Sequence, residues 1–271
     1  MFDSLPDDLA VALVHAAPRL GSFGAVRYCR EVESTNDVAL SLAVAGAPEG
    51  TSILADVQRR GRGRRGHEWY SPSEAGLYLS VITRPELSQG APLLTLGAGV
   101  AMAAAVAAVS GLPVELKWPN DLVIGRPWRK LGGVLAETVS VGAKIEAVVV
   151  GMGLNLRQVS MPPDLRGLGT SVEAELGRFA VDRTLLTVEL LAQFRSMMEQ
   201  LHASGRHAII ARWRGFARRG LGGTVRWSDA RGEHRGTARD IDHDGALLVA
   251  TPWGDERIIA GEVTWEAAPG E

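Results

Sequence analysis

Cysteine is nearly absent from this sequence: Cys29 is the one cysteine among 271 residues. A single thiol excludes an intrachain disulfide, and the first eight residues lack the positive segment that begins a secretory signal. We therefore expect a cytoplasmic protein. Cys29 lies in the alternating run Val-Arg-Tyr-Cys-Arg-Glu-Val, which is typical of a strand, and we interpret it as a small buried hydrophobe rather than a nucleophile.

Charged residues are missing from 87 to 114, a stretch long enough to be a transmembrane candidate. Its composition argues against a membrane, because much of it is Ala and Gly and no cluster of Lys or Arg flanks it. Pro92 and Gly111 read as helix start and stop signals. We therefore expect a buried core helix over 92–110 and no membrane contact.

The apolar pattern changes near residue 220. Before it, strand-like runs alternate with helical patterns: strands are expected at 52–57, 77–83, 114–117, 122–124, 133–138 and 147–152, and helices at 37–45, 92–110, 183–202 and 207–216. After it come short runs separated by turn sequences, at 224–227, 236–241, 246–250, 256–259 and 262–265. The pattern predicts a mixed α/β domain over 1–219 and a small β-barrel over 220–271.

The two common nucleotide-binding motifs are also missing. The sequence has no Gly-x-x-x-x-Gly-Lys-Ser/Thr, and the segment from Gly151 lacks the third glycine of the dinucleotide fingerprint. Instead, residues 59–66 read Arg-Arg-Gly-Arg-Gly-Arg-Arg-Gly. Glycine lets the backbone approach a ligand closely, and arginine suits phosphate or carboxylate. Taken alone, this arginine–glycine segment indicates an anion site or a solvated, RNA-binding loop equally well.

A second polar segment, Ser34-Thr35-Asn36, precedes an apolar helical pattern. Ser34 or Thr35 is expected to cap that helix, with Asp37 favourable in its first turn. Capping leaves a second interpretation open, because hydroxyls at a helix start also hydrogen-bond small polar ligands.

Two more segments suit a ligand. In Lys117-Trp-Pro-Asn-Asp121, proline ends a strand and presents an amide and a carboxylate, which suit a metal, a nucleotide or a plain turn. Lys130 follows and precedes two glycines; its ammonium either neutralises an anion or is a solvated edge lysine. Residues 148–155 read as a buried strand ending in a glycine turn, with Asn155 as a turn residue or a nucleotide contact.

Together, these four segments resemble the biotin protein ligases. The resemblance spans about 27–265 and rests on 34–36, on Gln58 with the arginine–glycine segment and Trp69, on 117–121 with 129–131, and on Gly-Met-Gly-Leu-Asn at 151–155. It implies an α/β fold: a mixed-sheet catalytic domain akin to class II aminoacyl-tRNA synthetases, then an SH3-like β-barrel. Since only about 25 residues precede the first strand, we expect a form without the DNA-binding domain of some members, and no DNA partner.

The resemblance also implies a reaction and its substrates. Biotin and ATP would form biotinyl-5'-AMP with Mg²⁺, and biotin would pass to a lysine of the biotin carboxyl carrier domain of an acyl-CoA carboxylase. Its catalytic residues here would be Lys130, Arg62 and Asp121, and the metal ligands are unknown. Biotin would contact Ser34, Thr35, Asn36, Gln58, Arg62, Gly63, Arg64, Trp69, Lys130, Gly132 and Gly133. ATP would contact Arg62, Arg64, Trp69, Lys117, Asn120, Lys130 and Asn155.

Two other functions remain open at this point. A lipoate protein ligase shares the fold and the acyl-adenylate chemistry, but the arginine–glycine segment together with Lys117-Trp-Pro-Asn-Asp121 favours biotin. A nucleic-acid binder would explain the arginines but not Lys130, Asp121 and the hydroxyls, and it fits poorly with a sequence pI near 6.3.

An acyl-adenylate hydrolyses readily, so a glycine-rich lid that orders over it would exclude water. We expect the segment from Arg59 to Trp69 to be mobile without ligand and ordered with biotinyl-5'-AMP. Limited proteolysis should cut it more slowly when the adenylate is bound. Equal cleavage rates with and without the adenylate would contradict the lid.

Overall fold

The computed structural model describes residues 2–84, 90–142, 144–157, 162–177, 181–229, 232–259 and 261–266. Within these residues the α-helices are α1 (Asp7–Leu20), α2 (Thr35–Val44), α3 (Ala91–Ser110), α4 (Val172–Leu176), α5 (Arg183–Ser204) and α6 (Arg206–Phe216). The strands are β1 (Val26–Val32), β2 (Ser52–Gln58), β3 (Gly76–Thr83), β4 (Glu115–Lys117), β5 (Asp121–Ile124), β6 (Arg129–Val141), β7 (Lys144–Asn155), β8 (Thr224–Asp229), β9 (Gly232–Ile241), β10 (Leu247–Thr251), β11 (Gly254–Ile258) and β12 (Val263–Trp265).

The larger sheet has the strand order β1-β2-β3-β7-β6-β5-β4. It is mixed, because β1 and β2 run parallel whereas the other neighbouring strands run antiparallel. The β6–β7 hairpin pairs Gly133 with Gly153 and Leu135 with Gly151. Since successive side chains point to opposite faces of a strand, Gly133, Leu135 and Glu137 share one face of β6 and Gly132 lies on the other.

Helices α1, α3, α5 and α6 pack on one face of this sheet, and α2 packs on the other. The main core lies under α3, where Met102 contacts the sheet near Gly132. On the opposite face, Ala39 and Ala43 of α2 meet Val149 of β7 in a smaller apolar cluster. This second face carries the cleft described below.

Helix α3 confirms the predicted core helix and its end signals. Pro92 lies in its first turn, and Gly111 ends it in the left-handed conformation (φ 73°), with its N–H donated to the Ala107 carbonyl at 2.9 Å. Among the described residues, α3 is long and apolar enough to cross a membrane by composition, but 72% of that apolar window is buried inside the protein. Its small residues allow close packing, and Met197 of α5 fills the space that Gly97 leaves.

The remaining strands form an antiparallel sheet in the order β11-β10-β9-β8-β12, as the resemblance implies for a small C-terminal barrel. Hydrogen bonds from Arg214 and Trp118 tie this sheet to the rest of the chain. Arg214 donates two hydrogen bonds to Asp240 (2.6 and 2.8 Å), and Trp118 donates its indole N–H to the Gly245 carbonyl at 2.9 Å. Trp118 is buried, so the hydrogen bond forms part of a packed contact between the two sheets.

The structure contains helices that the sequence did not predict, and one predicted turn is wrong. The short helix α4 (Val172–Leu176) is absent from the prediction. Helix α1 is absent from the prediction, although Leu9, Leu13 and Leu20 form its buried side. The predicted glycine turn after 152 is wrong, because β7 continues to Asn155 with its glycines inside the strand. These glycines do not form a turn; they let side chains from other elements approach the strand closely. A Cβ on Gly151, for example, would lie 2.3 Å from the Asn36 amide oxygen.

Phe194 on α5 is fully buried, and its ring meets Phe23 edge to face at a centroid distance of 5.8 Å. Phe194→Ala should lower the free energy of unfolding by about 3–5 kcal/mol, because it removes apolar contacts and leaves a cavity. Urea denaturation measures this change. Val14→Ala on the exposed side of α1 is the control, and its change should stay within about 0.5 kcal/mol. Equal losses in the two variants would contradict the placement of Phe194 in the core.

Candidate active site

A cleft lies on the α2 face of the larger sheet. Its floor is the glycine-containing part of β6 and β7, and its walls are the start of α2, the arginine–glycine segment and the turn between β4 and β5. The second sheet closes one side through Glu262, Val263 and Thr264. Both sheets therefore contribute to the cleft.

The arginine–glycine segment folds as a small hairpin over the cleft. Trp69 donates its N–H to the Gly61 carbonyl at 2.8 Å, and Gly63 donates to the His67 carbonyl at 2.7 Å. A Cβ on Gly61 would lie 2.4 Å from the Trp69 carbonyl oxygen, so a side chain at position 61 would prevent this closure. Its predicted mobility without ligand stays a prediction.

The start of α2 forms a buried polar wall. Ser34 occupies the N-cap position, but its side chain makes no capping hydrogen bond. The cap comes instead from Gln58, whose amide oxygen accepts the Thr35 N–H at 2.9 Å and the Thr35 hydroxyl at 3.1 Å. Gln58 is held in turn by the Ser71 hydroxyl at 2.9 Å. Within the described chain the Ser34 hydroxyl, which is nearly fully buried, has no hydrogen-bond partner and lines the cleft.

Asn36 is buried and fully hydrogen-bonded by the protein. Its amide nitrogen donates to Glu137 at 2.7 Å and to the Leu135 carbonyl at 3.3 Å, and its amide oxygen lies 2.6 Å from the Ser80 hydroxyl. The structure thus places Asn36 as a support for the cleft wall. Its side chain occupies the space that Gly151 leaves open.

Lys130 is fixed through its backbone. Its N–H donates to the Leu168 carbonyl at 2.7 Å, and its carbonyl accepts from the Thr170 N–H at 2.9 Å. The ammonium lies 2.6 Å from an Asp121 carboxylate oxygen and 5.4 Å from the centre of the Trp69 ring. An ion pair and a cation–π contact therefore hold the charge at the cleft, where it is partly exposed.

Two other cations are partly desolvated. Burial is the largest effect on Lys117 and lowers the pKa of its ammonium, with Asp121 acting in the opposite direction. Burial and the neighbouring Arg65 lower the pKa of Arg64, whose guanidinium lies 3.4 Å from the Asn120 amide oxygen. Both shifts mean that the positive form is less favourable here than in water. An anionic ligand would remove this disadvantage.

The structure brings most predicted site residues together. Thirteen of them line the cleft: Ser34, Thr35, Asn36, Gln58, Arg62, Gly63, Arg64, Trp69, Lys117, Asn120, Asp121, Lys130 and Gly133. Two lie outside it. Gly132 faces the core near Met102, because it alternates with Gly133. Asn155 donates to the Thr170 carbonyl at 3.0 Å and so supports the segment beside Lys130.

Sequence reasoning missed the groups that hold the predicted residues. Ser80 and Ser71 are ordinary strand and loop hydroxyls in the sequence, and Glu137 is an ordinary strand carboxylate. Only the alternation of Gly133, Leu135 and Glu137 could have placed that carboxylate on the cleft face. The contribution of Glu262 and Thr264 carried no sequence signal, because it depends on how the second sheet packs.

The cleft does not contain a cluster of metal ligands within the described residues. Among the described residues, the three potential metal ligands that lie close together are Asp242, His243 and Asp244. They belong to the turn after β9, away from the cleft. Asp121 and Glu262 are cleft carboxylates whose negative charges act on Lys117. This arrangement fits Mg²⁺ that is carried mainly by substrate phosphates, since Mg²⁺ is usually bound by one or two carboxylates together with phosphates.

Comparison with known proteins gives the class. Residues 28–155 match the biotin/lipoate A/B protein ligase family, and residues 221–264 match the biotin protein ligase C terminal domain. In three dimensions the chain is similar to the biotin protein ligase of Aquifex aeolicus solved in complex with biotin and ATP, with 25% identity, a TM-score of 0.77, and coverage of 90% of this chain and 99% of that one. The fold is that of a biotin ligase.

Two curated relatives extend the likeness in sequence. The biotin–[acetyl-CoA-carboxylase] ligase of Paracoccus denitrificans is 34% identical over 85% of this chain and 96% of its own length. The bifunctional ligase/repressor of Bacillus spizizenii is 33% identical over 86% of this chain and 71% of its own length. The chain belongs to the biotin protein ligase family and is a biotin ligase enzyme.

Gly153 lies under the indole of Trp69, and a Cβ there would be 2.6 Å from two indole atoms. Gly153→Ala should therefore displace Trp69 and lower kcat/KM for the activation of biotin by about tenfold or more, since small misplacements of positioning groups have effects of this size. Steady-state release of pyrophosphate measures it. Gly215→Ala on α6 is the control, because a Cβ there meets nothing within 4 Å. Unchanged kcat/KM in Gly153→Ala would contradict the role of the Trp69 position.

Proposed function

We propose that this enzyme joins biotin to a lysine of a biotin carboxyl carrier domain of an acyl-CoA carboxylase, at the expense of ATP. In the first step a biotin carboxylate oxygen attacks the α-phosphorus of ATP, and the bond from that phosphorus to the pyrophosphate oxygen breaks. In the second step the lysine nitrogen attacks the acyl carbon of biotinyl-5'-AMP, the carbon–oxygen bond to AMP breaks, and the amine loses a proton.

One observation carries the proposal: five cations, Arg62, Arg64, Arg65, Lys117 and Lys130, line the same cleft as a buried polar wall. The first step brings two anions together. At about 4 Å, unit charges of equal sign repel by on the order of 4 kcal/mol at an effective dielectric constant of ~20. Cations held in advance at that position lower the barrier, because their charge stabilises the transition state more than the separated reactants.

The two ends of the cleft suit the two ends of biotin. Ser34, Thr35 and Gln58 offer hydroxyls and an amide that suit the polar ring, and the unpaired Ser34 hydroxyl is available to it. Lys130 and Arg62 would then meet the carboxylate and the α-phosphate, while Arg64 and Lys117 face the nucleotide. Trp69 would cover the adduct from the loop side.

Magnesium would neutralise the charge of the ATP phosphates. Asp121 and Glu262 are the residues we propose to face it, without the cage of carboxylates that a permanent metal site requires. Asp121 is also the proposed group to orient the acceptor amine. Its carboxylate is paired with Lys130, which places it beside the reacting carboxyl group.

We further propose that the two domains, 1–219 and 220–271, act as one enzyme in the cytoplasm, without a DNA or membrane partner. The family matches on either side of residue 220 support this division. The contribution of Glu262 and Thr264 to the cleft supports a shared role in catalysis.

Purified protein with ATP, Mg²⁺, biotin and a biotin carboxyl carrier domain should add the mass of one biotinyl group to the carrier. Lys130→Ala should reduce this transfer by at least about a hundredfold, which is the scale of losing one transition-state contact. Lipoate in place of biotin is the matched acid control and should give no product. Transfer of lipoate alone, or of neither acid, would refute the proposal, and full activity of Lys130→Ala would refute the assignment of the lysine.

A further inference from the structure

We propose that Glu137 is a positioning residue that couples the polar wall of the cleft to Arg62. The inference rests on the proposed function, because it explains how the residues that bind biotin and the arginine that meets the phosphate keep a fixed position relative to each other. Glu137 does not line the cleft, so it would act through the two side chains it binds.

A single carboxylate oxygen carries both contacts. Glu137 Oε2 accepts a hydrogen bond from the Asn36 amide at 2.7 Å and another from Arg62 Nη2 at 2.7 Å. Glu137 is a mid-strand residue of β6 with a side chain only 24% exposed. Because the carboxylate is held on a strand, it fixes the positions of both the Asn36 amide and the Arg62 guanidinium.

From Asn36 the chain of contacts continues into the proposed biotin wall. The Ser80 hydroxyl lies 2.6 Å from the Asn36 amide oxygen and 2.7 Å from the Thr35 hydroxyl. Thr35 in turn contacts Gln58. All but Gln58 of these residues are nearly fully buried, so the contacts are shielded from water and hold their geometry.

On the other side, the bonding of Arg62 leaves part of its guanidinium available. Its Nη2 is shared between Glu137 at 2.7 Å and Asp37 at 2.8 Å. Within the described chain, Nε and Nη1 have no hydrogen-bond partner. Arginine has a planar fork of five donors, so one end can be anchored while the other binds an anion.

Glu137 rather than Asp37 is the effective anchor. The Asp37 side chain is 51% exposed, and an exposed ion pair contributes little. Glu137 is also the one that joins Arg62 to Asn36. Glu137→Gln keeps the shape of the side chain but removes its charge. The Asn36 amide and the Arg62 guanidinium, which both donate to this carboxylate, would then face an NH₂ group or a neutral oxygen.

The test uses Glu137→Gln, with Glu146→Gln as the matched control. Glu146 lies on the neighbouring strand β7 and its carboxylate pairs with Lys144 at 2.8 Å, away from the cleft. Pyrophosphate release gives KM for biotin and kcat. We expect Glu137→Gln to raise KM for biotin about tenfold, the scale of one lost charge-assisted hydrogen bond, and Glu146→Gln to leave it within about twofold.

A double-mutant cycle separates positioning from a general loss of structure. In an Arg62→Ala background, Glu137→Gln should raise KM for biotin by a clearly smaller factor than in the wild-type enzyme, because Arg62 is already gone and only the contact with Asn36 is left to lose. An equal increase in both backgrounds would overturn the inference. Should Glu137→Gln fail to fold, Glu137→Asp keeps the charge but shortens the side chain, and an unchanged KM for biotin would likewise overturn it.

The wild-type enzyme distinguishes the two proposals. If it makes no biotinyl-5'-AMP, the proposed function is wrong. If it makes the adenylate and Glu137→Gln is indistinguishable from it, the positioning role is wrong and the proposed function stands.

Discussion

The cleft depends on the packing of one polar side chain, Asn36, against a strand that lacks a side chain at the facing position. A Cβ on Gly151 would lie 2.3 Å from the Asn36 amide oxygen, so only glycine lets helix α2 start this close to the sheet. The buried amide must then find partners, because an unpaired polar group in a protein interior is costly. Ser80, Glu137 and the Leu135 carbonyl supply them.

A second constraint follows from the charges. Two cations of the cleft are already paired with carboxylates: Lys130 with Asp121, and Arg62 with Glu137 and Asp37. These ion pairs compensate part of the positive charge of the cleft. Burial lowers the pKa of Lys117 and of Arg64, which means that their charged forms are less stable here than in water. A bound anion would stabilise these charged forms. Binding of a negative substrate and relief of that cost are therefore coupled.

Short local patterns were enough to place most of the cleft. Helix α3 follows from its apolar run and its Pro92 and Gly111 signals, and the turn that carries Asp121 follows from the proline before it. Long-range pairing was not accessible in the same way. The partners Asn36 and Glu137 are 101 positions apart, and Thr35 and Gln58 are 23 apart, so neither hydrogen bond leaves a trace in local composition. Which of Gly132 and Gly133 faces the cleft depends on the register of β6, which the sequence does not show. The glycines of β7 were interpreted as a turn because the side chains that pack against them were unknown.

The Trp118–Gly245 hydrogen bond has a consequence for the order in which the enzyme is completed. Trp118 belongs to the turn that carries Asn120 and Asp121, yet its buried indole donor finds its acceptor 127 positions further along the chain. During synthesis from the N-terminus, residues 1–219 leave the ribosome before that acceptor does. The wall formed by Glu262 and Thr264 emerges later still. A nascent chain that already holds the whole larger sheet therefore still lacks one wall of the cleft.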